Sequence, residues 1–259
     1  MPNLTGIFDS HAHYDARQFD ADRDALLAAL PKEGVVGVVN CGTDIATSEF
    51  SLKLARRYPY IRAAMGIHPH ECADMADADL AEIERLAGAP EAVAIGEIGL
   101  DYYYDFAPRD KQRRAFASQL ELANKLKLPV IVHDREAHAD TLALLREHRP
   151  AGVVHCFSGS VEMLQGVLAL DMYIGLDGPV TFKNAKTPQA VAAAVPIERL
   201  LLETDAPYLA PEPYRGKRGD SRMIAHIARK IAEIKGMEAQ ELLDICAANA
   251  RRAFSLGSC

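Results

Sequence analysis

Short apolar runs alternate with segments whose apolar residues recur three and four apart, and the alternation extends along nearly the whole chain. The runs are GIFDSHAH from Gly6, VVGVVNCG from Val35, IRAAMGIH from Ile61, EAVAIGEIGLD from Glu91, PVIVHDR from Pro129, GVVHCFSG from Gly152, MYIGLDG from Met172 and LLLETDAP from Leu200. Their near-continuous hydrophobicity predicts eight strands covered on both faces, as parallel strands are. Helical spacing is read over 22–30, 48–57, 108–126, 139–147, 161–170 and 188–195, with 221–234 and 238–253 after the last strand. A βα unit repeated eight times in 259 residues predicts an α/β fold of the (β/α)8 TIM-barrel type. A doubly wound open sheet is the competitor, but no strand is followed by a G-x-G-x-x-G turn. No linker or low-complexity stretch interrupts the pattern, so one domain is expected over residues 1–259.

Composition narrows this further. With 49% hydrophobic and 25% charged residues the chain is neither disordered nor collagen-like. A chain of this size can build a core without disulfides or a structural metal, so any metal it holds is expected to be functional. Its 29 basic and 36 acidic residues give a net charge of -7, which excludes a bulk field for non-specific nucleic-acid binding. Attraction to a polyanion must therefore be local. Five cysteines, at 41, 72, 156, 246 and 259, contain no C-x-x-C pair and leave an odd one over, which predicts reduced thiols and a cytoplasmic location. The first ten residues lack a basic segment and an apolar stretch, and no run is long enough to span a membrane, so a soluble protein is expected.

The chemistry gathers at the C-terminal ends of the predicted strands. His11 and His13 lie on the first, Glu97 and Asp101 on the fourth, His133 on the fifth, His155 on the sixth and Asp205 on the eighth. In a barrel these ends converge on the face where barrel enzymes place their active sites. An isolated H-x-H pair is weak evidence, but four histidines and two carboxylates at one end would leave several buried polar groups unpaired unless something joined them. A metal centre joins them. Four imidazoles exceed what one catalytic ion takes while keeping an open position, which points to two ions. Glu97, inside the apolar run AVAIGEIGL, is the natural bridge between them. Two such ions about 3.5–4 Å apart clamp an oxygen and acidify a shared water, so hydrolysis follows. Asp205 suits either a ligand of the first ion or the acceptor of the attacking water's proton.

These residues and their surroundings resemble the TatD-type metal-dependent hydrolases and deoxyribonucleases. The resemblance runs through DSHAHYD at 9–15, GIHPHE at 66–71, AIGEIGLDYYY at 94–104, LPVIVHDR at 128–135, VVHCFSG at 153–159, LLETDAPYLAP at 201–211, RGKR at 215–218 and the NARRAF tail at 249–254. It implies a barrel in which His11, His13 and Asp205 hold one divalent ion, His133 and His155 a second, and Glu97 bridges. It also implies nuclease activity with magnesium, manganese or zinc, directed at the 3′ ends of single-stranded DNA. The four-imidazole set is softer than magnesium prefers. Two departures stand out. Ala12 replaces a cysteine common in the family, and Gly219, Asp220 and Ser221 follow Arg218 where the family pattern continues Asn-Glu-Pro.

Beside the expected ligands, His68 ends the third strand and is read either as a catalytic donor or as a group that orients ligands. Asp101 is read either as orienting a ligand or as receiving a substrate hydrogen bond, and Tyr102, with Tyr103 and Tyr104, as a substrate contact that stacks on bases, at least one of the three packing against the rim. Arg215, Lys217 and Arg218 form a local cationic patch after the eighth strand. Cys156, next to His155, is read as a core residue by strand alternation. The leading expectation is phosphodiester hydrolysis on single-stranded DNA by a monomer or weak oligomer without membrane contact. The alternative is hydrolysis of another ester or an amide at the same centre.

Overall fold

The computed structural model describes residues 4–257, which leaves Cys259 outside. Eight strands, β1 (Ile7–Ala12), β2 (Val35–Cys41), β3 (Ile61–Met65), β4 (Ala92–Asp101), β5 (Val130–Arg135), β6 (Gly152–Val154), β7 (Tyr173–Leu176) and β8 (Leu200–Leu202), pair in sequence order, all parallel. The seam between β1 and β8 is held by the bridge Ala12↔Ala206 and by the amides of His13 and Asp205, which donate to Ala206 O and His11 O at 2.7 and 3.0 Å. The result is a nearly closed (β/α)8 barrel.

The helices α1 (Arg23–Ala29), α2 (Ile45–Arg57), α3 (Asp77–Ala87), α4 (Arg109–Leu126), α5 (His138–His148), α6 (Val161–Leu168), α7 (Lys186–Ala194), α8 (Ile224–Lys235) and α9 (Ala239–Ala253) form the outer layer. Their ends follow local chemistry. The Asp44 carboxylate accepts from the Thr47 amide at 2.7 Å to start α2, and Ser160 caps α6 in the same way. At the other end of a helix, Gly236 takes φ 69° to stop α8. Helix α3 is not among the expected segments, although Leu80, Ile83 and Leu86 lie at helical spacing between Asp77 and Gly88. The buried amide of Asn249 on α9 donates to Ile197 O at 2.7 Å and Leu200 O at 2.8 Å, which fastens the NARRAF tail to the start of β8.

One large cluster fills the space between strands and helices, and a second gathers Phe8, Val39, Ala64, Ala94, Ile131, Val153 and Leu201 from seven strands against the end of α9. The second is the barrel interior, closed at its N-terminal end by Ala250 and Phe254. Strict alternation from Phe8 and Ala94 would point His11 and Glu97 outward. Register irregularities between Asp9 and Ala12 and between Ile95 and Ile98 reverse that parity. Ile95 and Ile98, three residues apart, consequently both face the helices, and Glu97 between them turns into the barrel mouth.

Candidate metal centre

His11 lies on β1, Glu97 within β4 and His133 on β5, while His13, His68, His155 and Asp205 occupy the first residues beyond β1, β3, β6 and β8. Glu97 thus sits deeper than the strand end read from the sequence, because β4 runs on to Asp101. Its two carboxylate oxygens face different partners. Oε2 is 3.4 Å from His11 Nε2 and 3.3 Å from His13 Nε2, whereas Oε1 is 2.9 Å from His133 Nδ1, 2.8 Å from His155 Nε2 and 3.4 Å from His68 Nε2. Asp205 Oδ1 completes the first set at 3.6 and 3.5 Å from His11 and His13. Asp205 has φ 55°, a left-handed conformation that Asp adopts more readily than most residues.

Three overlapping groups, His11–His13–Asp205, His11–Glu97–His155 and His68–Glu97–His133, each bring their ligand atoms within 4.8 Å of one another. The Nε2 atoms of His11 and His13 approach to 2.9 Å. Two unprotonated nitrogens cannot meet lone pair to lone pair at that distance, so a proton or a cation must lie between them. Imidazole nitrogens and carboxylate oxygens converging in this way fit a divalent cation of the zinc or manganese type.

The ligand tautomers are set from behind. His13 Nδ1 lies 2.9 Å from Cys41 O and donates to it, and His133 Nε2 is 3.2 Å from Asp101 Oδ2, which leaves the other nitrogen of each ring for the centre. Burial alone would depress the pKa of His13, yet hydrogen bonds to Asp205 and Glu97 raise it well above the ordinary histidine value. Burial would likewise raise Glu97, but the surrounding imidazoles hold it well below the carboxylate range. For His68 burial wins and lowers the pKa to about 4, so the ring is neutral at pH 7.

Two buried groups, Glu203 and Asp177, escape the sequence reading, and a third residue, Cys156, departs from it. Glu203, fully buried, accepts from Ser10 Oγ at 3.2 Å and from the Cys156 amide, and its Oε1 stands 3.7 Å behind His155 Nδ1. Glycine opposite leaves it room, because a Cβ at Gly175 would lie 2.3 Å from its carboxylate and force it to shift. Asp177 is buried beside it, and burial together with the negative charges of Glu203 and Asp205 pushes its pKa well above the usual value. Cys156 is not a core residue. Strand β6 ends at Val154 and Cys156 has φ 41°, so alternation no longer applies and the half-buried thiol faces Asp177.

The remaining expected contacts divide into free and committed groups. Arg215 and Lys217 are exposed on the loop after β8, with Arg215 4.2 Å over the Phe182 ring. Arg218 is paired with Asp22 through bonds of 2.6 and 2.7 Å. Tyr102 is held by a 2.7 Å hydrogen bond to Asp140 and by Arg109 4.3 Å over its ring, whereas Tyr103 and Tyr104 are exposed. Asp101 is fully buried and accepts from His70 as well as His133.

The departure at 219–221 has a structural use. Ser221 Oγ donates to the buried Asp9 at 2.7 Å and lies 2.7 Å from the Tyr14 hydroxyl, while its amide donates to Tyr14 at 2.9 Å. The loop that carries the cationic residues is thereby pinned to β1. Ser221→Ala is expected to destabilise the fold by about 1–3 kcal/mol, read by urea unfolding, because it leaves the buried Tyr14 O–H without an acceptor and removes one of the donors to Asp9, which keeps Thr204 Oγ1.

A barrel with a strand-end cluster of histidines and carboxylates defines a metal-dependent hydrolase architecture. Comparison with known proteins agrees: the family described as TatD related DNase matches residues 8–255, and the chain belongs to it. A metal-dependent hydrolase, YabD, of Bacillus subtilis is 40% identical over 96% of this chain and 99% of the relative. A protein of Musicola paradisiaca named 3'-5' ssDNA/RNA exonuclease TatD is 40% identical over 97% of this chain and 98% of its own. The crystal structure of YJJV, a TatD homolog of Escherichia coli, superposes with a TM-score of 0.92 at 30% identity, covering 97% of this chain and 99% of that one. The protein is a metal-dependent hydrolase of this family.

Proposed function

We propose that the protein is a divalent-metal-dependent nuclease that hydrolyses phosphodiester bonds of single-stranded DNA from the 3′ end, acting as one domain over the whole chain. The observation that carries the reading is the division of Glu97, one oxygen toward His11 and His13 and the other toward His133 and His155. In this reading His11, His13 and Asp205 would hold one ion and His133 and His155 a second, with Glu97 able to serve both sets. Divalent metal held by these residues would supply an acidified water and positive charge to offset that building on the phosphate. Hydrogen bonding to His13 holds the Asp205 carboxyl below the ordinary range despite its burial, so it is ionised at neutral pH and able to hold an ion or accept a proton. His68, neutral and 3.4 Å from Glu97, orients that carboxylate or contacts a substrate phosphate oxygen.

The names of the relatives support a nucleic-acid substrate over another ester or an amide. Among the described residues four cysteines are free, which supports a cytoplasmic setting, and no helix is long and apolar enough to cross a membrane. Arg215 and Lys217 supply the local attraction that a net charge of -7 lacks. Replacing both by alanine is expected to raise KM for single-stranded DNA and to flatten its salt dependence by roughly 0.7 logarithmic units for each phosphate that the two cations no longer neutralise. Steady-state rates across a salt series test this. An unchanged KM and slope, with equal turnover on a neutral ester, contradicts a polyanionic substrate.

A further inference from the structure

Among the described residues the exposed large hydrophobics are Val36, Tyr103, Tyr104, Phe106, Tyr208, Leu209 and Tyr214. All but Val36 lie on the loops after β4 and β8, at the end of the barrel that carries the cluster of histidines and carboxylates. The rings on the loop after β4 pack on one another. Tyr104 and Phe106 stack with ring centroids 5.3 Å apart and an interplanar angle of 26°, and Tyr103 meets Tyr104 edge-on at 4.9 Å. The exposed guanidinium of Arg135 lies 4.2 Å from the Tyr103 centroid and 4.7 Å from that of Tyr104. Phe106 is 67% exposed and contributes little to the core.

This group is tied to the histidine and carboxylate cluster through Asp101 and His70. One oxygen of Asp101 accepts from His133 and His70, and the other accepts from the amides of Tyr103 and Tyr104 at 3.0 and 2.8 Å. His70 in turn packs its ring edge-on against Phe106, with centroids 4.8 Å apart. Asp101 therefore fixes the ring platform in register with an imidazole that faces Glu97. Flat aromatic faces beside a guanidinium match one ligand chemistry, an unpaired nucleobase on a phosphate backbone. Bases inside a duplex hide those faces.

We propose that Tyr103, Tyr104, Phe106 and Arg135 form a base-stacking subsite that holds a nucleotide of a single strand beside the bond to be cut. The proposal rests on the nuclease reading and adds to it the group that recognises an unpaired base. It is tested by measuring KM for shortening of an oligothymidylate and of the same strand with abasic residues at its 3′ end, using the metal-loaded protein. For the wild type the abasic strand is expected to show a KM about tenfold higher. Phe106→Ala combined with Tyr104→Ala is expected to raise KM for the base-bearing strand by about the same factor and to erase the difference between the two strands. Phe106→Tyr, which keeps the ring, restores the difference. Cleavage by all proteins with the same abasic penalty overturns the subsite alone, as does an equal loss on both strands. Absence of cleavage by the wild type overturns the nuclease reading and the subsite with it.

Discussion

Glu97→Gln is expected to lower turnover by more than about 100-fold, beyond the 10–100-fold that loss of an outer hydrogen-bonding partner costs a metal site. Glutamine has nearly the same volume, so the packing around β4 is retained. It carries one acceptor oxygen and one NH2 group, however, and can serve only one of the two imidazole sets that Glu97 faces at 2.8–3.4 Å. The negative charge that offsets the ions is lost as well. Turnover, bound metal by elemental analysis and far-UV circular dichroism, measured on the same sample, separate the cases: a folded variant with impaired metal retention and little activity is expected. Wild-type turnover in Glu97→Gln removes the shared carboxylate from the mechanism.

Removal of metal with a chelator is expected to abolish turnover and, relative to protein held at 100-fold the metal Kd, to lower Tm by about 5–10 °C. The cause is visible in the centre: His11 and His13 Nε2 stand 2.9 Å apart, and His133 Nδ1 is 3.4 Å from His155 Nε2, so without a cation these nitrogens depend on protons for cohesion. Readdition of manganese, zinc or magnesium is expected to restore Tm in the order of their affinity for imidazole-rich sites, and turnover returns only with metal. A Tm that stays constant through chelation and readdition, with activity retained, contradicts a catalytic metal centre.

The barrel is legible because its strands are covered on both faces and so read as apolar runs, and because the chemistry-bearing residues close those runs. The expected ligands His11, His13, Glu97, His133, His155 and Asp205 are brought together at the barrel mouth, with His68 among them. Alternation is the weaker guide. It does not foresee the irregularities that turn His11 and Glu97 inward, nor the left-handed Cys156 that ends the parity of β6. Glu203 carries a readable signal, since a carboxylate closing the apolar run LLLE is as costly as the one inside AVAIGEIGL. Its position behind His155, like that of Asp177, depends on which loops fold over β7 and β8. The cationic patch shows the same limit: sequence places Arg215, Lys217 and Arg218 together, and only the folded chain reveals that Arg218 belongs to Asp22.

The most direct test is digestion of single-stranded DNA labelled separately at the 5′ and 3′ ends by metal-stripped protein, with and without added divalent metal, beside Glu97→Gln. Stepwise loss from the 3′ end that requires both metal and Glu97 is the predicted result. An intact strand in the presence of folded, metal-loaded wild-type protein contradicts the assignment.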